Sequence, residues 1–139
     1  AGELTNEVTL PEADVMRFVR LDKGDFFGRD ATQASLANPL PWVCACLAIE
    51  PDGDSDGHGG EAVLMDGKRV GATSSVAYGH SVGTILAFAY VRPEAAQPGT
   101  ALEVVIMGKP RKARVLAEPA YDPQNLKPRA DAPARKAAE

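Results

Sequence analysis

The run DGKRVGATSSVAYGHSVGTILAFAYV, Asp66 to Val91, folds back on itself twice. Asp66-Gly67 is a hairpin dipeptide, because a type I′ turn needs positive φ at both central residues and Asp and Gly tolerate that. Glu61 to Met65 supplies the arm before it and Lys68 to Val76 the arm after it. Gly71 lies inside the second arm, where a glycine marks a bulge or the close approach of another backbone. Tyr78-Gly79-His80-Ser81-Val82-Gly83 then turns the chain into the apolar run Thr84 to Val91. The pattern is antiparallel β-structure with one elaborate loop.

The same grammar continues on both sides. Trp42 to Ile49 is continuously apolar, as in a strand covered on both faces. Downstream, Arg92-Pro93 ends one strand and Pro98-Gly99 marks the next turn. Leu102, Val104 and Ile106 alternate with Glu103, Val105 and Met107. Gly108-Lys109-Pro110 turns the chain into Arg111 to Leu116, where Ala113 and Val115 alternate with Lys112 and Arg114. About six strands with little helix after residue 40 give a mainly β fold, an antiparallel barrel of Greek-key type, since closure removes exposed edges.

The N-terminal part differs. The first ten residues are polar and expected to be weakly held. Pro11 to Val19 reads as a short helix, with Pro11 at its first position and Glu12 and Asp14 in its first turn. Lys23 to Arg29 is a loop with two aromatic anchors, Phe26 and Phe27. A helix follows from Asp30 to Ala37, with Asp30 as N-cap and Pro39 and Pro41 ending it. The tail from Asp131, DAPARKAAE, is small and charged and is expected to be disordered. These readings divide the chain into an N-terminal extension 1–14, a barrel domain 15–129 and a disordered tail 130–139.

At 139 residues the chain makes one domain with its own core. A net charge of −4 argues against a general binder of nucleic acid or anionic membrane. No apolar run is long enough to cross a bilayer, so neither nucleic acid nor membrane is expected as a partner. The basic residues Lys109, Arg111, Lys112 and Arg114 read as a solvated strand face, and Lys127, Arg129, Arg135 and Lys136 as a solvated tail. The chain starts Ala-Gly without a Met or a signal-peptide pattern, which points to a cloning remnant or to an excised piece of a longer polypeptide. Cys44 and Cys46, two apart on one strand, share a face, cannot easily pair, and lack the partners for a zinc site. They read as buried core thiols in a reducing compartment, the cytoplasm.

Isolated motifs for chemistry are weak. Asp52-Gly53-Asp54-Ser55-Asp56-Gly57 resembles half a calcium loop, but Val63 stands where the bidentate acid belongs, so a solvated turn and no metal are expected. His58 and His80 form no ligand cluster or catalytic triad with any neighbour in sequence, and His80 reads as a structural loop histidine. Gly79 to Gly83 lacks the Lys and the following helix of a phosphate loop.

Taken in order, the pieces are more specific. LDKGDFFGRDA (Leu21 to Ala31) resembles the K-x-D-F-x-G-R motif ahead of the C-terminal barrel of glycine-cleavage aminomethyltransferases. The run Asp66 to Val91 is similar to that domain's G-x-x-V-G-x-x-T-S hairpin and the strand after it. Arg92 to Pro123 resembles the remainder, with Pro-Gly-Thr before a strand, a Gly turn and a closing Pro-x-Tyr-Asp-Pro. The likeness spans roughly residues 15 to 129. The Tyr-Gly-His-Ser-Val-Gly loop and the ending Tyr121-Asp122-Pro123-Gln124-Asn125 look like the folate-linked end of sarcosine and dimethylglycine dehydrogenases.

That resemblance implies a parent enzyme that oxidises an N-methyl amine at FAD and passes the one-carbon unit to tetrahydrofolate. It implies that the folate pocket and its essential acid lie in a preceding folate-binding domain of the same chain. This barrel would pack on that domain and close one side of its cavity, with no catalytic residue of its own. The closing segment Tyr121 to Arg129 is then the part nearest the cofactor, with Tyr121, Lys127 and Arg129 as candidate folate contacts. Lys127 or Arg129 would pair with the carboxylates of the folate's glutamate tail. Two alternatives remain: the C-terminal domain of an aminomethyltransferase working with a lipoyl carrier protein, and a free-standing, non-catalytic barrel module. Within the Leu21 to Ala31 motif, Gly24 and Gly28 allow sharp turns, and Asp25 and Arg29 tie the loop by hydrogen bonds. Phe26 and Phe27 are expected to anchor it in the core, each contributing about 1.5–3 kcal/mol.

Overall fold

The computed structural model describes residues 2–53 and 56–130. Its strands are β1 (Val43–Ile49), β2 (Ala62–Met65), β3 (Lys68–Gly79), β4 (Thr84–Val91), β5 (Ala101–Ile106) and β6 (Lys109–Val115). They form a closed antiparallel barrel in the order β1-β4-β3-β2-β5-β6, with β6 returning to β1 through Leu47↔Val115. β2, β3 and β4 are joined by tight turns, and β1 reaches its place beside β4 through the long connection before β2. That connectivity is a Greek key, as the sequence patterning implies.

Turn chemistry sets the registers. Asp66 (φ 52°) and Gly67 (φ 73°) are both left-handed, as a two-residue hairpin demands. The β5–β6 turn uses the same solution at Met107 (φ 51°) and Gly108 (φ 77°). The turn therefore begins one residue earlier than Gly108-Lys109-Pro110 suggests and ends two earlier. Lys109 and Pro110 are already strand, paired with Ile106 and Val105. At Gly71 both expectations hold. The β2–β3 register slips between Val63 and Leu64, and a Cβ on Gly71 would lie 2.1 Å from the Tyr90 carbonyl oxygen. A second slip between Thr73 and Ser75 leaves Ser74 as an extra residue against β4.

Alternation then sorts the side chains. Leu47, Ile49, Val63, Ile85, Val91, Val104 and Ile106 are fully buried in the barrel, each stabilising the fold by about 1.5–3 kcal/mol. On β6 the inward set is Arg111, Ala113 and Val115. Arg111, 4% exposed, is thus not part of a solvated basic face, whereas Lys112 and Arg114 are. On β1 the inward set is Ala45, Leu47 and Ile49. Cys44 and Cys46 share a face as expected, but it is the outer one, where both are half-buried free thiols rather than core residues. A two-residue period carries no sign of which face is inside, and small Ala45 rather than Cys proved to be the core filler.

The N-terminal part departs most from expectation. No helix spans Pro11 to Val19. Glu12 accepts from the Thr9 N–H (2.8 Å) and hydroxyl (2.6 Å), a capping box that opens one turn. Asp14 (φ 55°) then closes that turn, its N–H donating to Pro11 O and the Val15 N–H to Leu10 O, the paired bonds of a Schellman stop. Only a 3-10 turn, Met16–Phe18, follows. The first ten residues, expected to be weakly held, are tied to the barrel at Glu3, and Glu12 just beyond them is tied as well. The Tyr90 hydroxyl donates to Glu3 O, Ser74 Oγ to the Glu3 carboxylate (3.1 Å), and the Cys44 N–H to Glu12 O (2.7 Å).

The next helix is α1 (Arg29–Leu36), whose N-cap is left-handed Gly28 rather than Asp30. Gly24 and Gly28 take positive φ, and Arg29 Nε ties the loop by donating to Leu21 O (3.1 Å). Phe26 is half-buried with Lys23 Nζ 4.5 Å from its ring, but Phe27 is fully exposed and anchors nothing in this core. A last short helix, α2 (Lys127–Ala130), closes the described chain. The expected disordered tail falls on residues outside the described ones beyond 130, as does the Asp54-Ser55 part of the calcium-like loop.

Candidate functional site

The closing segment is organised by one carboxylate. Asp122 (φ 45°) turns the chain, and its side chain accepts the N–H groups of Leu126 (2.8 Å) and Lys127 (2.9 Å) at the start of α2. This satisfies two helix donors with a negative charge at the favourable end. The turn brings Lys127 back onto Tyr121. Its Nζ donates to the Tyr121 hydroxyl (2.7 Å) and sits 4.1 Å from the ring centroid. Two of the three candidate folate contacts are therefore adjacent, with a cation held on an aromatic face. Arg129 lies two residues further on, exposed, its N–H donating to Leu126 O (3.0 Å).

Three clefts of about 440–500 Å³ open on the barrel, and none is lined by Tyr121, Lys127 or Arg129. The three residues offer charge and a stacking surface, but the described residues around them do not enclose a folate. No group of three or more His, Cys, Asp or Glu suited to a metal ion occurs among the described residues. Also among them, no helix is long and apolar enough to cross a membrane.

Two further polar arrangements were not anticipated from the sequence. Glu61, at the mouth of β2, accepts the N–H groups of His58 (2.6 Å) and Gly59 (3.0 Å) and the hydroxyl proton of Thr73. Partial burial pushes its pKa up, but those hydrogen bonds outweigh it and hold the carboxyl below its ordinary value. The loop carrying His58 is thereby latched to β3. Under the N-terminal strap, Glu7, Glu12, Trp42, Arg69 and Tyr90 line the 500 Å³ cleft against β3 and β4. Arg92 lies 5.7 Å over the Trp42 ring, and Arg69 Nε donates to Gly71 O (3.3 Å). Beside it burial pushes the Cys44 thiol up to about 11, with Glu3 and Asp14 adding to the effect, so it is not a poised nucleophile. The Thr9-x-x-Glu12 spacing was the sequence signal for this strap. His80 stands edge-on to Tyr78, ring centroids 5.0 Å apart, a structural contact in an exposed loop.

Comparison with known proteins converges on the barrel. Residues 43–122 match the family described as glycine cleavage T-protein C-terminal barrel domain. The mitochondrial dimethylglycine dehydrogenase of Homo sapiens is 38% identical over 109 residues, which cover 78% of this chain and 12% of that protein. Its Rattus norvegicus counterpart is 35% identical over 119 residues, 85% of this chain and 14% of that protein. An aminomethyltransferase of Desulfitobacterium hafniense is 30% identical over 123 residues, 88% of this chain and 33% of that protein. The chain thus corresponds to a minor part of the length of each relative. The crystal structure of glycine cleavage system aminomethyltransferase T from Bartonella henselae superposes with a TM-score of 0.76 at 22% identity, over 88% of this chain and 34% of that one.

Proposed function

From the premise that this chain belongs to the glycine cleavage T-protein C-terminal barrel family, we propose that it is the terminal barrel of a folate-linked, flavin-dependent demethylating dehydrogenase. In this reading it packs on a preceding folate-binding domain and closes one side of the folate cavity. The flavin oxidation of an N-methyl amine and the essential acid belong to other domains of the parent chain. The observation that carries the reading is the match to dimethylglycine dehydrogenases across 78–85% of the chain. The second reading, the barrel of an aminomethyltransferase, is favoured by the match to those enzymes over 88% of the chain.

Within either reading, tetrahydrofolate is shared. Lys127, pre-positioned on Tyr121, is the residue to meet a carboxylate of its glutamate tail, with Arg129 as a second cation. The chain supplies binding and coverage there, and the one-carbon chemistry is the folate's. The half-buried free thiols are compatible with a reducing compartment, the cytoplasm in this reading.

Two measurements test this. The reading frame decides between parents, because the matched region is 14% of a dehydrogenase and 33% of an aminomethyltransferase. A frame that starts immediately before residue 1 would instead support a free-standing module. Titration of this chain alone with tetrahydrofolate is expected to give no sub-micromolar binding. Tight binding would mean that the barrel holds a complete pocket, and the shared-cavity reading would fall.

A further inference from the structure

Resting on the reading that a domain precedes this barrel, we infer that the connector, residues 15–42, is that domain's docking surface. Phe27 is its anchor, and the barrel proper begins at β1. Phe27 is 106% exposed and Phe18 72%, with Leu36 also open to solvent. This exposure is not that of a loose loop. Left-handed Gly24 and Gly28 bracket the aromatic pair, and Arg29 clamps the segment through Leu21 O. A phenyl ring presented on a fixed backbone is a contact surface awaiting its partner.

α1 makes the same point independently. It has eight residues, and Thr32 is its single buried one, with a hydroxyl that donates to Gly28 O (2.9 Å) within the connector itself. The packing of the molecule runs strand to strand, and α1 adds no more than a glancing contact to any strand. So short a helix is marginal in water unless a face of it is packed. The barrel does not provide that packing.

The occupant follows from where the likeness extends. The family match begins at residue 43, yet the relatives match 85–88% of the chain. That is more than the barrel and everything after it can supply, so the connector is shared with them too. Those relatives are several times longer, and the rest of such a chain is the partner at hand. Arg17 lies 4.7 Å over the Phe18 ring and Lys23 4.5 Å over the Phe26 ring. The matching socket is therefore apolar, with carboxylates at its rim.

The test compares amide hydrogen exchange of residues 29–36 in the full-length polypeptide and in the 139-residue chain, with tetrahydrofolate binding to the full-length protein measured in parallel. Docking predicts exchange in α1 slowed by about 100-fold in the longer protein. It also predicts that Phe27→Asp abolishes the protection there, whereas Phe88→Asp on the barrel wall does not. Phe27→Asp leaves the melting temperature of the 139-residue chain unchanged, because none of the described residues covers the ring. Equal exchange in both proteins overturns the docking surface even if folate binds. Protection without folate binding keeps the docking surface and removes the folate reading. Protection that appears in the 139-residue chain as its concentration rises would assign the surface to a second copy and overturn the proposal.

Discussion

Glu61 shows how one side chain can hold a crossover loop that has little apolar content. Its carboxylate gathers two backbone donors and a threonine hydroxyl, and the Thr73 N–H returns a bond to Glu61 O (2.9 Å). Because these bonds favour the ionised form in the folded state, Glu61 contributes stability that is complete above its unfolded pKa. That contribution is lost as pH falls through the lowered folded value. Glu61→Gln should therefore lower the urea midpoint at neutral pH, with the gap to wild type narrowing below the ordinary glutamate range. A gap that stays constant between neutral and acidic pH would show that the charge is not what holds the loop. None of this was visible in the Gly-rich run Gly57 to Gly60, because the partner, Thr73, is twelve residues away and reaches Glu61 only when β2 and β3 pair.

At the scale of elements, the strands and α1 were legible, and the N-terminal turn was not. Strands announce themselves by alternation and by turn dipeptides that are local in sequence, so Asp66-Gly67 and the Leu102-Val104-Ile106 set place β2, β3 and β5 directly. The misplaced turn at Met107-Gly108 has a clear cause. Methionine is a poor left-handed residue, so the dipeptide gave no signal although the backbone needs φ 51° there. Met107 is 78% exposed, so its side chain buries little. Met107→Asn should relieve the strain and raise stability by about 0.5–1 kcal/mol, read from denaturant unfolding. A loss of stability would mean that the methionine packs in a way its exposure conceals. The expected helix from Pro11 failed for a related reason. Asp14 in a left-handed conformation stopped it after one turn, through the local bonds to the Pro11 and Leu10 carbonyls, and aspartate there gives no local sign of that conformation.

At the scale of the molecule, the barrel is complete and the candidate site is not. The Tyr121–Lys127 pair is preassembled, yet it faces solvent, so under the proposed function its value depends on what a preceding domain of the parent chain lays against it. In that parent, Lys127→Ala should weaken tetrahydrofolate polyglutamate binding by about tenfold, while the melting temperature of the barrel stays unchanged. Unaltered affinity would return Lys127 to a solvated tail. The amino-acid sequence by itself determined the strand count and the hairpins, because pleat periodicity and turn stereochemistry act over a few residues, and the order of its motifs carried the family resemblance. Only the tertiary structure decided which face of β1 and β6 is inside, putting the thiols out and Arg111 in. It alone showed that Phe27 enters no core among the described residues. Those outcomes depend on how the barrel closes and on what else is present to cover a surface, and no local pattern of residues carries either.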